Sequence, residues 1–463
     1  MNDGVRLDAA LCTPAGDTPG PAVVLVHGHG EDGSKASTLA RAQRLSARGY
    51  TTLAYSVRGQ GGSEGLSFHL GMQELVDLQT VVAWVQSQPA VDPARVAVCG
   101  SSQGGWHSWM AAAHIPGLAT AVPENIFVDY ADFAVPQGAL STWFFTRTMR
   151  RRVMSAGLQD LARQWAIDGD WFRLRTWLQP LSPRVFADRI RCPVMVVHGW
   201  HDVGMPANRL IEMFEALQVP KRLILGGGGH DGQDESGAAA WRTDQVDAWL
   251  DHWLMGSDLP DAAPIVYARR PGWDHVQADT LQHTQSQTLY LRHGGTLAAD
   301  APDAPTPNSN VNHRTRDGSY TLAVALAHDL EGSAAAWPRE EVAFDSDPVT
   351  EDLDIVGIPR FVLHVLPSRP WYQIHAELFD VAPDGTATLI SRGHAGSQTA
   401  TPGRHLRLEI AGRAVAVRLA AGHRVRVVVA DQRPAYVVPV YRPWRARLYH
   451  ETDHCSCVVL PLQ

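Results

Sequence analysis

One short motif of this chain has the residue types and the spacing of a nucleophile. Gly-Ser-Ser-Gln-Gly occupies residues 100–104 and follows an apolar run that predicts a buried strand. A serine on a sharp turn between a strand and a helix needs flanking positions almost free of side-chain atoms, and Gly100 and Gly104 provide that space. Ser102 is therefore the candidate nucleophile. The backbone N–H of Gln103, at the start of the following helix, is a candidate donor to a developing oxyanion.

The chain also contains a candidate base and a candidate carboxylate for this serine. A serine hydroxyl is a weak nucleophile without a base, and the base needs an orienting carboxylate. Asp202 follows a strand predicted at residues 193–197, and His230 follows a strand predicted at residues 222–225. The chain order Ser102, Asp202, His230 is the order found in α/β-hydrolases. We therefore expect these three residues to form a catalytic triad for acyl transfer.

Each proposed partner of the serine has a competitor. Asp202 also fits the N-cap of a following helix. Asp231 is adjacent to His230, but neighbours in sequence seldom point at each other. His198 and His201 are alternative bases, but both belong to the strand end that carries Asp202, whereas His230 has a glycine-flanked loop of its own. Asp202 and His230 are therefore the preferred partners.

A second oxyanion donor is expected from the loop His-Gly-His-Gly at residues 27–30, which follows an earlier predicted strand. The backbone N–H of His29 is the preferred donor, and Gly28 or Gly30 could take its place. His27 is interpreted as a structural residue that braces the loop.

A glycine-rich turn at residues 58–65 invites a phosphate-binding interpretation. It lacks the Lys-Ser/Thr of a P-loop and the spacing of a dinucleotide fingerprint, so no nucleotide cofactor is expected there. We expect Arg58 to be architectural and to pair with Glu74 or Asp77.

Composition limits the classes of partner. The chain has 463 residues, 45% hydrophobic and 19% charged, which is typical of a globular protein with two or three domains. The net charge is −8 without long runs of one sign, so neither nucleic acid nor an anionic membrane is an expected partner. The start of the chain does not resemble a secretory leader, and no apolar run is long enough to cross a bilayer, which favours a cytoplasmic protein.

The cysteines give no sign of a disulfide framework or a metal centre. The chain has five cysteines at scattered positions, and we expect Cys99 and Cys192 to be buried thiols. Cys455 and Cys457 are close together but lack a second ligand cluster at metal-binding spacing. We therefore expect no metal and no cofactor.

The pattern of apolar residues divides the chain into two domains. Residues 1–262 alternate apolar strands with helical segments, which predicts a mostly parallel α/β sheet, including a strand at residues 125–128. Residues from about 131 to 188 contain helical patterns without a clear strand, which predicts a helical cap inserted in this domain. Residues 263–463 contain short alternating runs separated by turns, which predicts an antiparallel β-sandwich.

Aromatic residues near these segments are candidates for a substrate pocket. Trp106, Phe133, Trp143 and Trp200 are the candidate substrate-binding residues. Aromatics at helical spacing in a cap more often pack against the domain below, so core packing is the competing interpretation.

Several motifs along the chain form a recognisable set. They lie at residues 3–7, 57–65, 100–105, 182–183, 199–202, 344–353 and 421–426. Together they resemble the cocaine esterase and X-prolyl dipeptidyl aminopeptidase family. The resemblance implies an α/β-hydrolase domain with a helical cap, a C-terminal jelly roll packed against it, and a triad of Ser102, Asp202 and His230.

The chain departs from the family pattern in two places. Members often carry a tyrosine after the nucleophile and another after the early strand, whose hydroxyl completes the oxyanion hole, whereas this chain has Gln103 and the loop at residues 27–30. An X-prolyl peptidase must also hold the α-ammonium of its substrate with carboxylates. Glu124, Asp129 and Asp132 are candidates for that role, and a solvated surface is the alternative interpretation.

The expected activity is hydrolysis of a carboxylic ester of a small molecule through an acyl-enzyme. An X-Pro dipeptidyl aminopeptidase or an acyl-amino amidase, acting on a short peptide or amide, is the alternative within catalysis. A carbohydrate-binding or structural protein with an idle hydrolase fold is the alternative outside it. The sequence leaves the oligomeric state open.

Overall fold

Two β-sheets organise the chain in the computed structural model. The structure describes residues 1–463 except residues 17, 30–32, 69, 146–155, 203, 231–236, 261, 283–284, 305–306, 314–339, 434–435 and 441, and except the side chains of residues 156–159 and 167. The first sheet has 9 strands and the second has 14.

The first sheet is parallel except at its edges. Its strands are β1 (Ala9–Cys12), β2 (Gly20–Val26), β3 (Thr51–Tyr55), β4 (Val91–Ser101), β5 (Thr120–Glu124), β6 (Val194–Gly199), β7 (Lys221–Gly226), β8 (Ile265–Arg269) and β9 (Asp274–Ala278). Their order is β1-β3-β2-β4-β5-β6-β7-β8-β9, and β1 and β9 are antiparallel to their neighbours. Helices cover both faces, so the central strands β2 and β6 are buried and mostly apolar.

Eight α-helices are described. They are α1 (Ala36–Ala47), α2 (Met72–Gln86), α3 (Gln103–His114), α4 (Tyr130–Ala134), α5 (Ala156–Asp168), α6 (Trp171–Leu178), α7 (Asn208–Ala216) and α8 (Ala239–Met255). Among the helices of the described residues, none has the length and apolar character needed to cross a membrane.

The segment between β5 and β6 contains helices α4, α5 and α6 and short 3-10 turns. The strand predicted at residues 125–128 is wrong: β5 ends at Glu124, and Asn125 turns the chain with a φ of 45°. The apolar residues that follow are buried beneath the helical segment, where Phe127 stacks on Tyr130 and Phe133. A short apolar run predicts burial, but here the positive φ excludes a continued strand.

The second sheet is almost entirely antiparallel, as predicted. Its strands are β10 (Gln285–Arg292), β11 (Thr296–Ala298), β12 (Ser309–His313), β13 (Glu341–Asp345), β14 (Leu353–Gly357), β15 (Arg360–Pro367), β16 (Tyr372–Val381), β17 (Ala387–Ser397), β18 (Leu406–Ala411), β19 (Val415–Leu419), β20 (Arg424–Ala430), β21 (Trp444–Glu451), β22 (His454–Cys455) and β23 (Cys457–Leu462). In β15, buried residues alternate with partly exposed ones, as expected for a strand with one face on a core. The predicted fold class, an α/β-hydrolase domain followed by an all-β domain, is confirmed.

The two sheets are joined through β8 and β9. The predicted domain boundary between residues 262 and 263 stays a prediction. In the structure, β8 and β9, which span residues 265–278, are hydrogen-bonded into the first sheet. Arg270, directly after β8, bonds through its backbone N–H to the carbonyl of Ala416, and the N–H of Arg418 bonds back to the carbonyl of Arg270. The main core of the first sheet also includes Val356 and Ala414 from the sandwich.

Buried side chains hold the glycine-rich turn after β3. Arg58 makes two hydrogen bonds of 2.7 Å to the carboxylate of Asp77 and one of 2.6 Å to Asp3. The expected architectural pairing with Asp77 is therefore confirmed, with Asp3 as an additional partner. Cys99 and Cys192 are buried thiols, also as expected.

A glycine substitution tests the contact between the hydrolase domain and the sandwich. Gly138 has a φ of +78°, and a Cβ at this position would lie 2.1 Å from the carbonyl oxygen of Gly396 in β17. The Gly138→Ala variant should unfold at a lower temperature than the wild type, and its free energy of unfolding should fall by about 2 kcal/mol or more. Both the left-handed φ and the overlap with the carbonyl oxygen are unfavourable for alanine. Scanning calorimetry measures the change.

Gly117→Ala is the matched control. Gly117 has a similar φ of +75°, but a Cβ there would meet nothing within 4 Å. Equal destabilisation of the two variants would show that the contact with Gly396 is unimportant.

Candidate functional site

The site is built on the turn from β4 into α3. Ser102 has a φ of 56° and a ψ of −120°, a conformation that residues with a side chain rarely adopt. A Cβ on Gly104 would lie 2.0 Å from the carbonyl oxygen of Val26, and a Cβ on Gly100 would lie 2.5 Å from the same atom. Both positions therefore require glycine, as the motif predicts.

Ser102, His230 and Asp202 form a hydrogen-bonded chain. The Oγ of Ser102 lies 3.0 Å from the Nε2 of His230, and the Nδ1 of His230 lies 2.7 Å from the Oδ2 of Asp202. Asp202 is buried, whereas His230 remains partly accessible. With the proton on Nδ1 donated to Asp202, the lone pair of Nε2 faces the serine hydroxyl. The geometry is that of a base ready to remove the serine proton.

Two adjacent loops hold the histidine and the aspartate together. The backbone N–H of Trp200 bonds to the carbonyl of Gly226 at 3.0 Å, and the N–H of His201 bonds to the carbonyl of Gly228 at 3.2 Å. A Cβ on Gly199 would lie 1.9 Å from the oxygen of Gly228, so the loops meet at a distance that glycine alone permits. The loops after β6 and β7 are therefore locked edge to edge.

The competing residues lie elsewhere. His198 is fully buried and bonds through Nε2 to the carbonyl of Met205, and burial lowers the pKa of its imidazole. His201 packs against Trp273. Asp231 lies outside the described residues. The structure thus brings His230, of the three candidate bases, to Ser102.

Asp202 has two structural tasks. Its Oδ1 accepts backbone N–H bonds from Gly204 at 3.1 Å and Met205 at 2.8 Å, while Oδ2 accepts from His230. The residue before α7 is Ala207, so Asp202 is not the N-cap of that helix. Asp202 therefore caps backbone N–H groups of its own loop and not those of a helix. These bonds fix the position of its carboxylate beside the histidine.

The candidate oxyanion donors lie beside the nucleophile. Gln103 is the first residue of α3, where backbone N–H groups have no helical partner. A Cβ on Gly28 would lie 3.5 Å from the Cβ of Ser102, so the loop that carries His29 borders the serine. Gly30, the alternative donor, lies outside the described residues.

His27 braces this loop through both ring nitrogens. Its Nδ1 bonds to the carbonyl of Gly28 at 2.7 Å, and its Nε2 accepts the backbone N–H of Val57 at 2.9 Å. Burial lowers the pKa of His27, which favours the neutral ring that this pattern requires.

Sequence reasoning missed Gln60 as a member of this neighbourhood. Gln60 is buried in the turn after β3, and its Nε2 donates to the Oε1 of Gln103 at 2.9 Å. A signal existed in the sequence. The sheet is predicted to be mostly parallel, so the turn after β3 lies at the same edge of the sheet as the turn that carries Ser102. The side chain of Gln103, the residue after Ser102, is therefore held by an amide from a neighbouring turn.

The four candidate aromatic residues separate into two pairs. Trp106 is fully buried and donates its indole N–H to the carbonyl of Leu181, and Trp200 is buried and donates to the carbonyl of Ala268. Both belong to the core, because their rings have no free face and their polar atoms are satisfied inside the protein. Trp143 instead contacts His230, with ring centroids 4.7 Å apart, and Phe133 contacts Trp143 edge to face.

The three candidate carboxylates for an α-ammonium each have an arginine partner. Arg41 lies 2.7 Å from Glu124, Arg184 lies 3.0 Å from Asp129, and Arg209 lies 3.4 Å from Asp132. These distances are those of ion pairs, so the charges of Glu124 and Asp129 are compensated within the protein. Asp132 shares its arginine with Glu212, which lies 2.8 Å from Arg209.

A cavity of about 360 Å³ lies between the helical segment and the sandwich. Its walls include Phe133, Gly204, Asn208, His394, Arg413 and Tyr436. The ring of Trp143 packs on Gly204, where a Cβ would lie 2.4 Å from the indole, and it also contacts His230. Trp143 therefore lies between His230 and Gly204, a residue of the cavity wall.

The sandwich reaches the triad through Arg413. Its Nη1 donates to the backbone carbonyl of Asp202 at 3.4 Å, and burial lowers the pKa of the guanidinium to about 10. A residue more than two hundred positions away thus contacts the backbone of the acid, which no local sequence pattern could have revealed.

A parallel sheet with a strained serine, a histidine and an aspartate at its strand ends defines a serine hydrolase of the α/β type. Residues 3–232 match the family model of the X-Pro dipeptidyl-peptidases, S15 family, and residues 258–441 match the model of the X-Pro dipeptidyl-peptidase C-terminal non-catalytic domain. The chain belongs to this family.

One curated relative matches three quarters of the chain. A Streptomyces avermitilis protein that carries a Xaa-Pro dipeptidyl-peptidase name is 23% identical over 392 residues, which cover 76% of this chain and 56% of that relative. This chain therefore spans little more than half of that relative's length.

Solved structures share the fold over the whole chain. An α-amino acid ester hydrolase has a TM-score of 0.78 at 19% identity and covers 100% of this chain and 95% of its own. A CocE/NonD family hydrolase from Staphylococcus aureus has a TM-score of 0.77 at 15% identity and covers 100% of this chain and 92% of its own. At these identities, the likeness concerns the fold.

A substitution in the loop after β6 tests how the site is assembled. In Gly199→Ala, the new Cβ would overlap the carbonyl of Gly228 and separate the loops that carry Asp202 and His230. We expect the rate of labelling by a fluorophosphonate, a reagent for activated serines, to fall by about 100-fold or more, since small misplacements of a base are costly.

Gly229→Ala is the matched control in the facing loop. A Cβ on Gly229 would lie 3.4 Å from the carbonyl of His201, an ordinary contact, so its labelling rate should stay close to wild type. Normal labelling of Gly199→Ala would contradict the proposed locking of the two loops.

Proposed function

We propose that this serine hydrolase cleaves a carboxylic ester of a small molecule, with Ser102 as nucleophile, His230 as general base and acid, and Asp202 as the orienting carboxylate. The observation that carries the proposal is the continuous chain from the Oγ of Ser102 to Nε2 of His230 at 3.0 Å and from Nδ1 to Asp202 at 2.7 Å.

The reaction follows from these contacts. Nε2 of His230 removes the proton of Ser102 as Oγ attacks the carbonyl carbon of the ester. The tetrahedral intermediate collapses, the C–O bond to the alcohol breaks, and the Nε2–H donates its proton to the leaving oxygen. Water then attacks the acyl-serine with the same histidine as base, which releases the acid and restores Ser102.

The N–H groups of Gln103 and His29 are the proposed oxyanion donors. The N-terminus of α3 supports the first, because its N–H groups and the helix dipole favour negative charge. The contact between Gly28 and Ser102 supports the second, because it brings the 27–29 loop to the serine. The family that the sequence resembles often has one tyrosine after the nucleophile and one after the early strand. This chain has Gln103 and the loop at residues 27–30 instead, so an all-backbone oxyanion hole is part of this proposal.

The substrate class is argued from charge. An aminopeptidase that removes X-Pro dipeptides needs a free carboxylate for the α-ammonium of its substrate, and Glu124, Asp129 and Asp132 each face an arginine. An additional cation at these residues would have to displace an existing partner. This favours an ester whose acyl group carries no ammonium, and Phe133 and Trp143 are the proposed contacts for such a group.

The X-Pro dipeptidyl-peptidase activity is the second candidate, because the family and the named Streptomyces avermitilis relative carry that description. The idle-fold alternative is withdrawn, because the chain belongs to a family of serine hydrolases.

Fluorophosphonate labelling tests the triad. Ser102→Ala should abolish labelling, because the reagent bonds to the nucleophilic oxygen, and Asp202→Asn should lower kcat by about 10⁴-fold, because the histidine loses its tautomer. Mass spectrometry of the labelled peptide identifies the serine.

Ser101→Ala is the control, since Ser101 is the adjacent serine and ends β4. Labelling of Ser102→Ala at the wild-type rate would exclude Ser102 as the nucleophile.

A substrate panel tests the ester assignment and its electrostatic reason. We expect a higher kcat/KM for p-nitrophenyl acyl esters than for Ala-Pro-p-nitroanilide. We also expect a ratio near one between the matched p-nitrophenyl esters of alanine and N-acetylalanine, because the three carboxylates each face an arginine. Arg209→Gln, which frees Asp132, should raise the preference for the free amine several-fold.

Arg173→Gln is the control for this series. It removes an exposed arginine of α6 that pairs with Asp170, at a side chain 68% exposed. A wild-type enzyme that prefers the anilide, or that strongly prefers the free amine, would favour the dipeptidyl-peptidase activity instead.

A further inference from the structure

Three histidines from separate segments of the sandwich lie side by side. His364 is on β15, His405 directly precedes β18, and His454 is the first residue of β22. All three are half-buried, so a small ion from solvent can reach them. One nitrogen of each ring can be chosen so that the three atoms lie within 4.8 Å of one another.

The separations suit a metal with short bonds to nitrogen. The Nδ1 of His364 and the Nε2 of His405 are 3.2 Å apart. A Zn–N bond of about 2.0–2.1 Å places two tetrahedral ligands roughly 3.4 Å apart. One pair of nitrogens thus already has a suitable separation. His454 stacks on His405 with ring centroids 3.9 Å apart, so its ring would turn out of this stack to direct a nitrogen at the ion.

The scaffold around the histidines is ordered by hydrogen bonds. The backbone N–H of His364 donates to the Oγ of Ser456 at 3.0 Å, and that hydroxyl donates to the carbonyl of Tyr449 at 2.5 Å. The turn that carries His454 is therefore fastened to β15. The ring of Tyr449 contacts both His405 and His454 and forms one wall of the cluster.

His364 and His405 share a hydrogen bond between Nδ1 and Nε2, and a bound ion would replace the proton of that bond. Neutral imidazoles are the form that binds metals. Within the described part of the chain, the imidazole of His454 contacts other rings but makes no hydrogen bond.

The charged neighbour of the cluster is already paired. Arg407, two residues after His405, forms an ion pair with Glu409. The thiol of Cys455 donates to the backbone carbonyls of Glu451 and Thr452, so we do not include Cys455 among the metal ligands. The three imidazoles therefore form the donor set.

We propose that His364, His405 and His454 bind a divalent transition metal ion, and that the ion is Zn²⁺. Three imidazoles suit zinc and its neighbours in the first transition row, whereas Mg²⁺ and Ca²⁺ prefer oxygen ligands. Three protein ligands leave the fourth tetrahedral position for water. The site lies outside the triad and the reaction proposed above, and it is independent of them.

The bound ion would join β15, the connection between β17 and β18, and the hairpin of β21 and β22. Sequence reasoning expected no metal because it looked for ligands close together in the chain. These ligands are separated by about forty and fifty residues and meet through strand pairing, as Tyr449 pairs with His364 and Glu451 with His454.

The test uses the full chain, freed of metal with a chelator and then dialysed. Calorimetric titration with ZnCl₂ should reveal one site per chain with a Kd below about 1 µM. At a hundred-fold excess over Kd, the ion should raise the unfolding temperature by roughly 5 °C. His405→Ala should weaken the site by about 100-fold or more and abolish most of that shift.

The matched control is His275→Ala, at an exposed histidine of β9 outside the cluster. Absorption of the Co²⁺-substituted protein reports the coordination, since a tetrahedral site gives a much stronger band than an octahedral one. If His405→Ala is itself unstable without metal, His454→Gln takes its place. A wild-type chain with no site tighter than about 10 µM, or cluster variants that bind as the wild type does, would overturn the proposal.

Discussion

The contact between α3 and the end of β2 is the constraint on which the site depends. Gly100 and Gly104 bring the helix against the carbonyl of Val26 so closely that no side chain fits. The same contact holds Ser102 in its strained conformation, which costs about 1–3 kcal/mol and persists because the surrounding packing determines it. Val26 also leads directly into the loop that borders the serine. One packing interaction therefore sets the nucleophile, the helix terminus and the facing loop together.

The proximity of the three proposed triad residues was predictable because parallel strands end at one edge of their sheet. Ser102, Asp202 and His230 each follow a buried strand, and that alone brings them near one another. Their relative orientation was not predictable, because it depends on contacts such as that of Gly199 with Gly228, where glycine is needed against a backbone from another loop. The strand at residues 125–128 failed for a related reason: hydrophobicity predicts burial, but the positive φ of Asn125 decides the direction of the chain.

Long-range pairing explains what the sequence could not reveal. The apolar character of Trp106 and Trp200 is compatible with a pocket or a core, and only the carbonyls that accept their indole protons distinguish the two. The pairing of the acidic residues near the site is also hidden from the sequence, since Asp132 and its partner Arg209 are 77 positions apart in the chain. Charge in the sequence therefore does not indicate charge available to a ligand, and the substrate class has to be argued from the pairs.

The final strand has a consequence for how the molecule is made. β23 pairs with β10, β14 and β15, so the sandwich is completed by residues that follow Ser102 by more than 350 positions in the chain. The sandwich in turn supplies Arg413 to the carbonyl of Asp202 and apolar residues to the core of the first sheet. During synthesis, Ser102 and His230 leave the ribosome long before the residues of the sandwich that support them. The nascent chain therefore carries an incomplete site and an exposed apolar face until the sandwich has been synthesised, and exposed apolar surface of this kind is where chaperones act.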